Sequence, residues 1–288
     1  MNRIAFQGEH GAYSDLACRN AYPGWETVPC DTFATAIETV HDGGAELGML
    51  ACENSLAGRV PDIHALLPEA GLHIVGEYFQ RVEHCLIGLP GASITDLKRL
   101  HTHPVAMSQV RKLIRELGLT PVTQSDTAGS AALVAQWGRK EEAAVASSLA
   151  AELYGLQILR RNVEDAAHNT TRFYIAAREP RELAPGTPGL MTTLLFRVRN
   201  VPAALYKAMG GFATNGVNMT KLESYMIDGN FTATQFLADV DGHPDDVGLR
   251  HALDELGFFS DELRILGVYT RSEFRDRNNS SAAAGSIL

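Results

Sequence analysis

Thr171 and Arg172 stand side by side behind His168, Asn169 and Thr170, at the head of the apolar run Phe173-Tyr174-Ile175-Ala176. A hydroxyl can hand over a proton, and a guanidinium beside it can take a carboxylate in two parallel hydrogen bonds. A cation in front of a buried strand needs a partner or water, and an ion pair at a domain boundary would also satisfy it. Further polar clusters follow short apolar runs, where ligands collect in open α/β folds. "QGEHGAYS" (residues 7–14) carries Gly8 and Gly11, which could equally make a tight turn. Glu53-Asn54-Ser55 precede Gly58, and the set could also be a capping group. His103 precedes Pro104, where it is either a proton donor or a surface turn residue. Ser125-Asp126-Thr127 open a helical stretch, as a cap that also leaves N–H groups for an anion.

Several chemistries lack their residues. The glycines at 8 and 11 do not form a GxGxxG fingerprint, so no dinucleotide is invoked. His101 and His103 share a strand face, but no third ligand lies near and no HExxH occurs, so no metal is expected. No G-x-S-x-G elbow supports a Ser-His-Asp triad. A net charge of −9 gives no basic footprint for nucleic acid. Cys18, Cys30, Cys52 and Cys85 form no CxxC pair and read as reduced cysteines of a cytoplasmic protein. The N-terminus has no apolar signal region, and no apolar run is long enough to cross a bilayer.

The elements that must position these clusters alternate. "RIAFQG", "LGMLA" and "KRLHTH" read as short strands, and "HIVGEYFQRVEHCLIGLP" as extended structure. "DTFATAIETVHDG" has helical spacing, with Asp31 as the expected N-cap. "PVAMSQVRKLIREL" predicts one helix with Pro104 at N1, and "SAALVAQWG" a small-residue helix. "AAVASSLAAELYG" begins as strand and ends as helix. Strands alternating with helices predict an α/β layered fold over residues 1–178. "REPRELAPGTPG" has linker composition, which places a linker at 179–189. Residues 190–270 read βαββαβ, the ferredoxin-like order, with Pro202 near N1 of the first helix and a turn at Ile227-Asp228-Gly229-Asn230. Residues 271–288 are expected to be a disordered tail.

Taken together, "FQGEHGAYS", "ENSLAGRV", "THPVAMSQ", "DTAGSAALVA", "AAVASSLAAELYGL" and "NTTRF" resemble prephenate dehydratase, in order and spacing, over nearly the whole chain. "TRF" at 171–173 matches that family's catalytic signature. The resemblance implies two α/β lobes like a periplasmic ligand-binding protein, with the site in the cleft, followed by a C-terminal ACT regulatory domain. It implies a monofunctional lyase of L-phenylalanine biosynthesis that needs neither metal nor redox cofactor. Thr171 and Arg172 are then the catalytic pair, Thr171 meeting the departing hydroxyl and Arg172 the pyruvyl carboxylate. Glu53, Asn54, Ser55, His103, Thr127, Asn169 and Phe173 are expected to line the substrate. The chain departs from the family in "GEHGAYS", with Ala12 and Tyr13 for Thr and Phe, and at Val105, where a Gln is usual.

ACT domains of this family bind phenylalanine at a dimer interface, which implies L-phenylalanine as effector and a homodimer or homotetramer. The "PAALY" stretch and its neighbours place Ala204, Leu205, Asn215, Asn218, Met219, Glu223 and Ser224 in that site. The family's ESRP element reads Glu223-Ser224-Tyr225-Met226, so its Arg and Pro are both replaced. Two other readings are arogenate dehydratase, with Glu53 or Asp126 receiving the substrate ammonium, and a non-catalytic small-molecule sensor.

Overall fold

The computed structural model of the chain describes residues 1–199, 201–226 and 233–276. Two compact units emerge, residues 1–66 with 78–174 and residues 67–77 with 175–288.

The chain begins with β1 (Arg3–Gln7), α1 (Tyr13–Ala21), β2 (Glu26–Cys30), α2 (Phe33–His41), β3 (Leu47–Asn54), β4 (Gly58–Arg59), α3 (Pro61–Leu66) and β5 (His73–Arg81). It continues through β6 (Cys85–Gly88), β7 (Arg99–Thr102), α4 (Pro104–Ser108), α5 (Arg111–Leu117), β8 (Thr120–Thr123), α6 (Thr127–Trp137), β9 (Glu142–Ala146), α7 (Ser148–Leu153), β10 (Gln157–Arg160) and β11 (Thr170–Ala177). These strands make two sheets, one in the order β2-β1-β3-β11-β5 with β4 on β3, the other in the order β10-β6-β9-β7-β8. The chain passes between the sheets twice, once after β5 and once after β10, as in a periplasmic ligand-binding protein. The two passing segments pair with each other, Val163 N–H to the His84 carbonyl at 3.0 Å and Val82 N–H to the Asn169 carbonyl at 2.9 Å.

Local chemistry explains the helix starts. The Thr32 hydroxyl caps α2 by accepting from Thr35 N–H, so the cap lies one residue after the expected Asp31. Asp126 caps α6 through Gly129 N–H at 2.6 Å, and Gly138 ends the helix in the left-handed region. The single helix expected over 104–117 is two, α4 and α5, broken at Gln109-Val110. The break has a cause outside the helix. Asp165 accepts from Arg111 and Lys112 N–H, starting α5 afresh, while its own N–H binds the Gln109 carbonyl.

The second sheet is covered on both faces, as a buried mixed sheet requires. Ala128, Ala131 and Val134 of α6 pack on one side and Val110 and Leu113 on the other. Glu142 on β9 pairs with Arg99 and with His101 Nε2 on β7. The hydrogen-bonded Arg99 guanidinium holds the Glu142 carboxyl down to about 2. Gly11, at φ +89°, brings the loop after β1 onto α7, where a Cβ would lie 2.9 Å from Ala150 Cα.

The later strands and helices are β12 (Leu190–Val198), α8 (Ala204–Thr214), β13 (Met219–Met226), β14 (Ala233–Asp241), α9 (Val247–Phe259) and β15 (Ser260–Thr270). The antiparallel order β13-β14-β12-β15 is the ferredoxin-like sheet expected for an ACT domain. Phe196 and Phe236 stack at 5.2 Å under Phe212, Ala252 and Leu256. Pro202 precedes the N-cap, Ala203, rather than standing inside the helix. The turn at 227–230 lies outside the described residues.

Residues 67–77 belong to this second unit for a packing reason. Gly267 lets the Ile74 backbone approach so closely that a Cβ would overlap the Ile74 carbonyl. Glu77 is fully buried and pairs with Arg275 at 2.7 Å while accepting from Ser272 N–H. Residues 271–276 are therefore held rather than loose, with Arg271 N–H on the Gly189 carbonyl. Residues 277–288 lie outside the described residues.

Candidate active site

The ends of β3 and β11 carry the polar cluster. Asn54 closes an Asx turn, its Oδ1 accepting from Leu56 N–H at 3.0 Å and Ala57 N–H at 2.9 Å. That leaves Asn54 Nδ2 to donate to Asn169 Oδ1 at 2.8 Å and to Thr171 Oγ1 at 3.0 Å. Ser55 clamps the same end. Its hydroxyl donates to the His168 carbonyl at 2.8 Å and accepts from Thr170 N–H, while its own N–H meets the Thr170 carbonyl.

Consecutive strand residues point to opposite faces. Asn54 and Thr171 therefore share one face, and Glu53 and Arg172 the other. Arg172 is 2% exposed. Its guanidinium donates to Glu53 Oε1 at 3.1 Å and lies over the rings of Tyr174, at 4.8 Å, and Phe79, at 5.9 Å. A buried guanidinium needs such partners, and the aromatic faces add cation–π attraction. Phe173 is buried in the core.

His103 and Thr127 stand at helix starts. His103 Nδ1 accepts from Val105 N–H at 3.2 Å, capping α4, and Thr127 is the first residue of α6. Neither hydrogen-bonds to the Asn54 cluster.

Three residues not among the expected site residues, Gln109, His84 and Tyr13, extend the cluster through Asn169. Asn169, fully buried, donates through Nδ2 to Gln109 Oε1 at 2.9 Å. The same oxygen lies 2.8 Å from His84 Nε2, and His84 Nδ1 lies 2.8 Å from the Tyr13 hydroxyl. Burial pushes the His84 imidazole down, against the pull of Gln109 and Glu164, and pushes the Tyr13 phenol up. Gln109 reaches the cluster because the chain breaks there between α4 and α5. The one signal for His84 was its polar ring immediately before the buried run Cys85-Leu86-Ile87.

The residues expected to form an effector site are spread over the second unit. Ala204 and Leu205 begin α8 and Asn215 caps its other end, donating to the Gly211 carbonyl and Glu255. Asn218 donates to Asp241 at 2.9 Å. Met219 opens β13 opposite Val240, and Ser224 is exposed. Glu223 accepts from Lys221 Nζ at 2.8 Å and from the Tyr225 hydroxyl at 3.1 Å.

The chain is similar to known proteins. The family model described as prephenate dehydratase matches residues 4–181. A protein of Komagataeibacter europaeus, described as a bifunctional N-acyl-homoserine lactone acylase/prephenate dehydratase, is 71% identical over 272 residues, 94% of this chain and 97% of that protein. An arogenate dehydratase/prephenate dehydratase of Arabidopsis thaliana is 39% identical over 277 residues, 93% of this chain and 72% of that protein. Among solved structures, the Arthrobacter aurescens prephenate dehydratase in complex with L-Phe superposes with a TM-score of 0.84 at 29% identity, covering 99% of each chain. The match runs through the elements that carry Asn54, Asn169 and Thr171, and this chain belongs to the prephenate dehydratase family.

Proposed function

We propose that this enzyme converts prephenate to phenylpyruvate, carbon dioxide and water, and that the Thr171 hydroxyl meets the departing ring hydroxyl. The observation that carries the reading is the 3.0 Å bond from Asn54 Nδ2 to Thr171 Oγ1. It fills an acceptor position on the hydroxyl and leaves the proton to be donated. In the reaction the bond from ring to carboxylate breaks and carbon dioxide leaves. Its electron pair aromatises the ring as the C–O bond breaks, and the leaving oxygen takes a proton and departs as water. A donor aimed where negative charge grows lowers the barrier more than it stabilises the substrate.

The ring carboxylate loses its charge, so a firm grip on it would favour the ground state. The pyruvyl carboxylate keeps its charge and is the one to hold. Arg172, buried against Glu53 and two rings, suits a different role from the direct grip expected of it. Arg172 and Glu53 lock the ends of β3 and β11, on which Thr171 and Asn54 sit. Thr127 and the first N–H groups of α6 are then the donors for the pyruvyl carboxylate. Ser55 and Asn169 hold the loop, and His103 serves as a cap.

The test is formation of phenylpyruvate, read by its ultraviolet absorbance, from prephenate and from arogenate side by side. Arogenate brings an ammonium that needs a carboxylate, yet Glu53 pairs with Arg172 and Asp126 caps α6. The expected result is a higher kcat/KM for prephenate. The reverse ratio reassigns the substrate to arogenate, and no turnover of either makes the chain a sensor.

L-phenylalanine is the proposed effector, held between two copies of the chain in a homodimer or homotetramer. Leu205 and Asn215 sit at opposite ends of α8. At 1.5 Å per residue they lie about 15 Å apart, too far for one amino acid to touch both in a single copy. The four free, buried cysteines fit a reducing cytoplasm.

A second reading rests on the 71% identical relative, whose description names an N-acyl-homoserine lactone acylase beside the dehydratase. This chain carries that second activity too. Incubation with an N-acyl-homoserine lactone and detection of the freed fatty acid decides it.

A further inference from the structure

We propose that His84 is a positioning residue for Thr171: as its Nε2–H tautomer it fixes Gln109, and through Gln109, Asn169 and Asn54 it fixes the direction of the Thr171 hydroxyl. The proposal rests on the reading of Thr171 given above. The direction of every bond follows from one end. The backbone N–H groups of Leu56 and Ala57 can only donate, so the Asn54 atom facing them is Oδ1. Asn54 Nδ2 therefore faces Asn169, whose facing atom must accept. Asn169 Nδ2 then faces Gln109, whose Oε1 must accept in turn. The atom of His84 that meets Oε1 at 2.8 Å must therefore carry a proton, which makes it Nε2–H. In the uncharged ring Nδ1 is left as an acceptor, and the Tyr13 hydroxyl stands 2.8 Å from it.

Reversing the chain is costly. A proton on Nδ1 alone would set two acceptors, Nε2 and Oε1, face to face. Turning the Gln109 amide to cure this would set two donors face to face at Asn169. The conflict would run back to Leu56 and Ala57, whose N–H groups cannot turn. His84 is 1% exposed and Asn169 fully buried, so an unmatched bond at either of them is left without surface water, although Gln109 between them is half-buried. The groups packed around His84 fit an uncharged ring. Its backbone N–H is taken by Glu164 Oε2 at 2.9 Å, and Arg81 stands 3.8 Å from that Glu164. The Tyr13 hydroxyl has one proton and two acceptors, Nδ1 at 2.8 Å and the Glu83 carbonyl at 3.0 Å, and the uncharged Nε2–H ring takes it on Nδ1. Burial lowers the imidazole further below its ordinary value.

The network also runs between the lobes. Tyr13 comes from α1 of the first lobe, Gln109 from the α4–α5 break of the second, and His84 and Asn169 from the two segments that pass between them. The Thr171 proton is thus aimed by residues of both lobes.

The experiment is steady-state kinetics on the full chain for His84→Leu and His84→Gln, each also combined with Thr171→Val, together with 15N spectra of the labelled imidazole. His84→Leu is expected to lower kcat by about 10-fold or more with KM little changed. His84→Gln, which keeps a donor at the Nε2 place, recovers most of that loss. Against Thr171→Val, His84→Leu costs less than about 2-fold, because residues that act through one another are not additive. The spectra show Nε2 protonated and Nδ1 bare at neutral pH. Wild-type kcat in His84→Leu beside a crippled Thr171→Val overturns the proposal alone. The same loss from His84→Leu in both backgrounds also overturns it, as does a ring protonated at Nδ1. Wild-type kcat in Thr171→Val overturns the reading of Thr171 and the proposal with it. Should His84→Leu fail to fold, His84→Gln and the spectra decide.

Discussion

The polar residues of the two units are bonded in different ways. In the first unit Asn54, Asn169, Thr171, Gln109 and His84 bond to one another, although up to 117 positions separate partners in sequence. In the second unit the corresponding candidates bond locally. Asn215 serves its own helix, Asn218 takes Asp241, and Glu223 takes Lys221 and Tyr225. Catalysis needs a donor held in a fixed direction before substrate arrives, and a closed network within one chain supplies it. The proposed effector site has its parts at both ends of one helix and, on that proposal, is finished by a second copy, whereas the proposed catalytic network closes within one chain.

Three experiments press on that contrast. The largest effect is expected from Asn54→Leu, which removes the donor to Thr171 and both turn bonds. We expect kcat to fall by about 100-fold and stability by about 2 kcal/mol, read from initial rates and thermal melting. A variant that loses stability but keeps kcat would break the link between the turn and the hydroxyl. Next comes phenylalanine binding. Calorimetry at falling protein concentration should show affinity lost as the oligomer dissociates, while kcat per chain in the absence of phenylalanine holds. Undiminished binding by a monomer would put a complete effector site within one copy. The smallest effect is expected at Ala203, a non-glycine residue held at φ +63° just before α8. Ala203→Gly should raise stability by about 1 kcal/mol, read from denaturant midpoints, because the left-handed region costs an alanine about that much. A loss of stability would mean that the strain is not relieved there.

How much of this was legible in the sequence depends on the range of the interaction. The β12–β15 order, the strand at 170–177 and the Asp126 cap follow from periodicity and capping chemistry, which act over a few residues. Thr171 heads "TRF" and Asn54 is the second residue of "ENSLAGRV", so both stand out in the sequence as candidates. Gln109 and Tyr13 lay inside quoted motifs and were passed over, because their partner, His84, is 25 and 71 positions away and carries no motif. The split of α4 from α5 escaped the pattern because its cause, Asp165, lies more than 50 residues downstream. Residues 67–77 join the second unit through the close approach at Gly267, which hydropathy cannot signal. Strand alternation puts the Arg172 side chain on the face opposite Thr171, against Glu53 and two rings, a placement that the motif by itself does not signal. No residue pattern suggested the acylase activity named in the 71% identical relative.

The central claim is that a hydroxyl at position 171, aimed by Asn54, carries the departure of the ring hydroxyl. Thr171→Val keeps the shape of the side chain and deletes the hydroxyl, and its kcat for phenylpyruvate formation from prephenate is the most direct measurement. The account predicts a fall of about 100-fold or more with KM and melting temperature close to wild type. A Thr171→Val enzyme that turns over prephenate at the wild-type rate would contradict it.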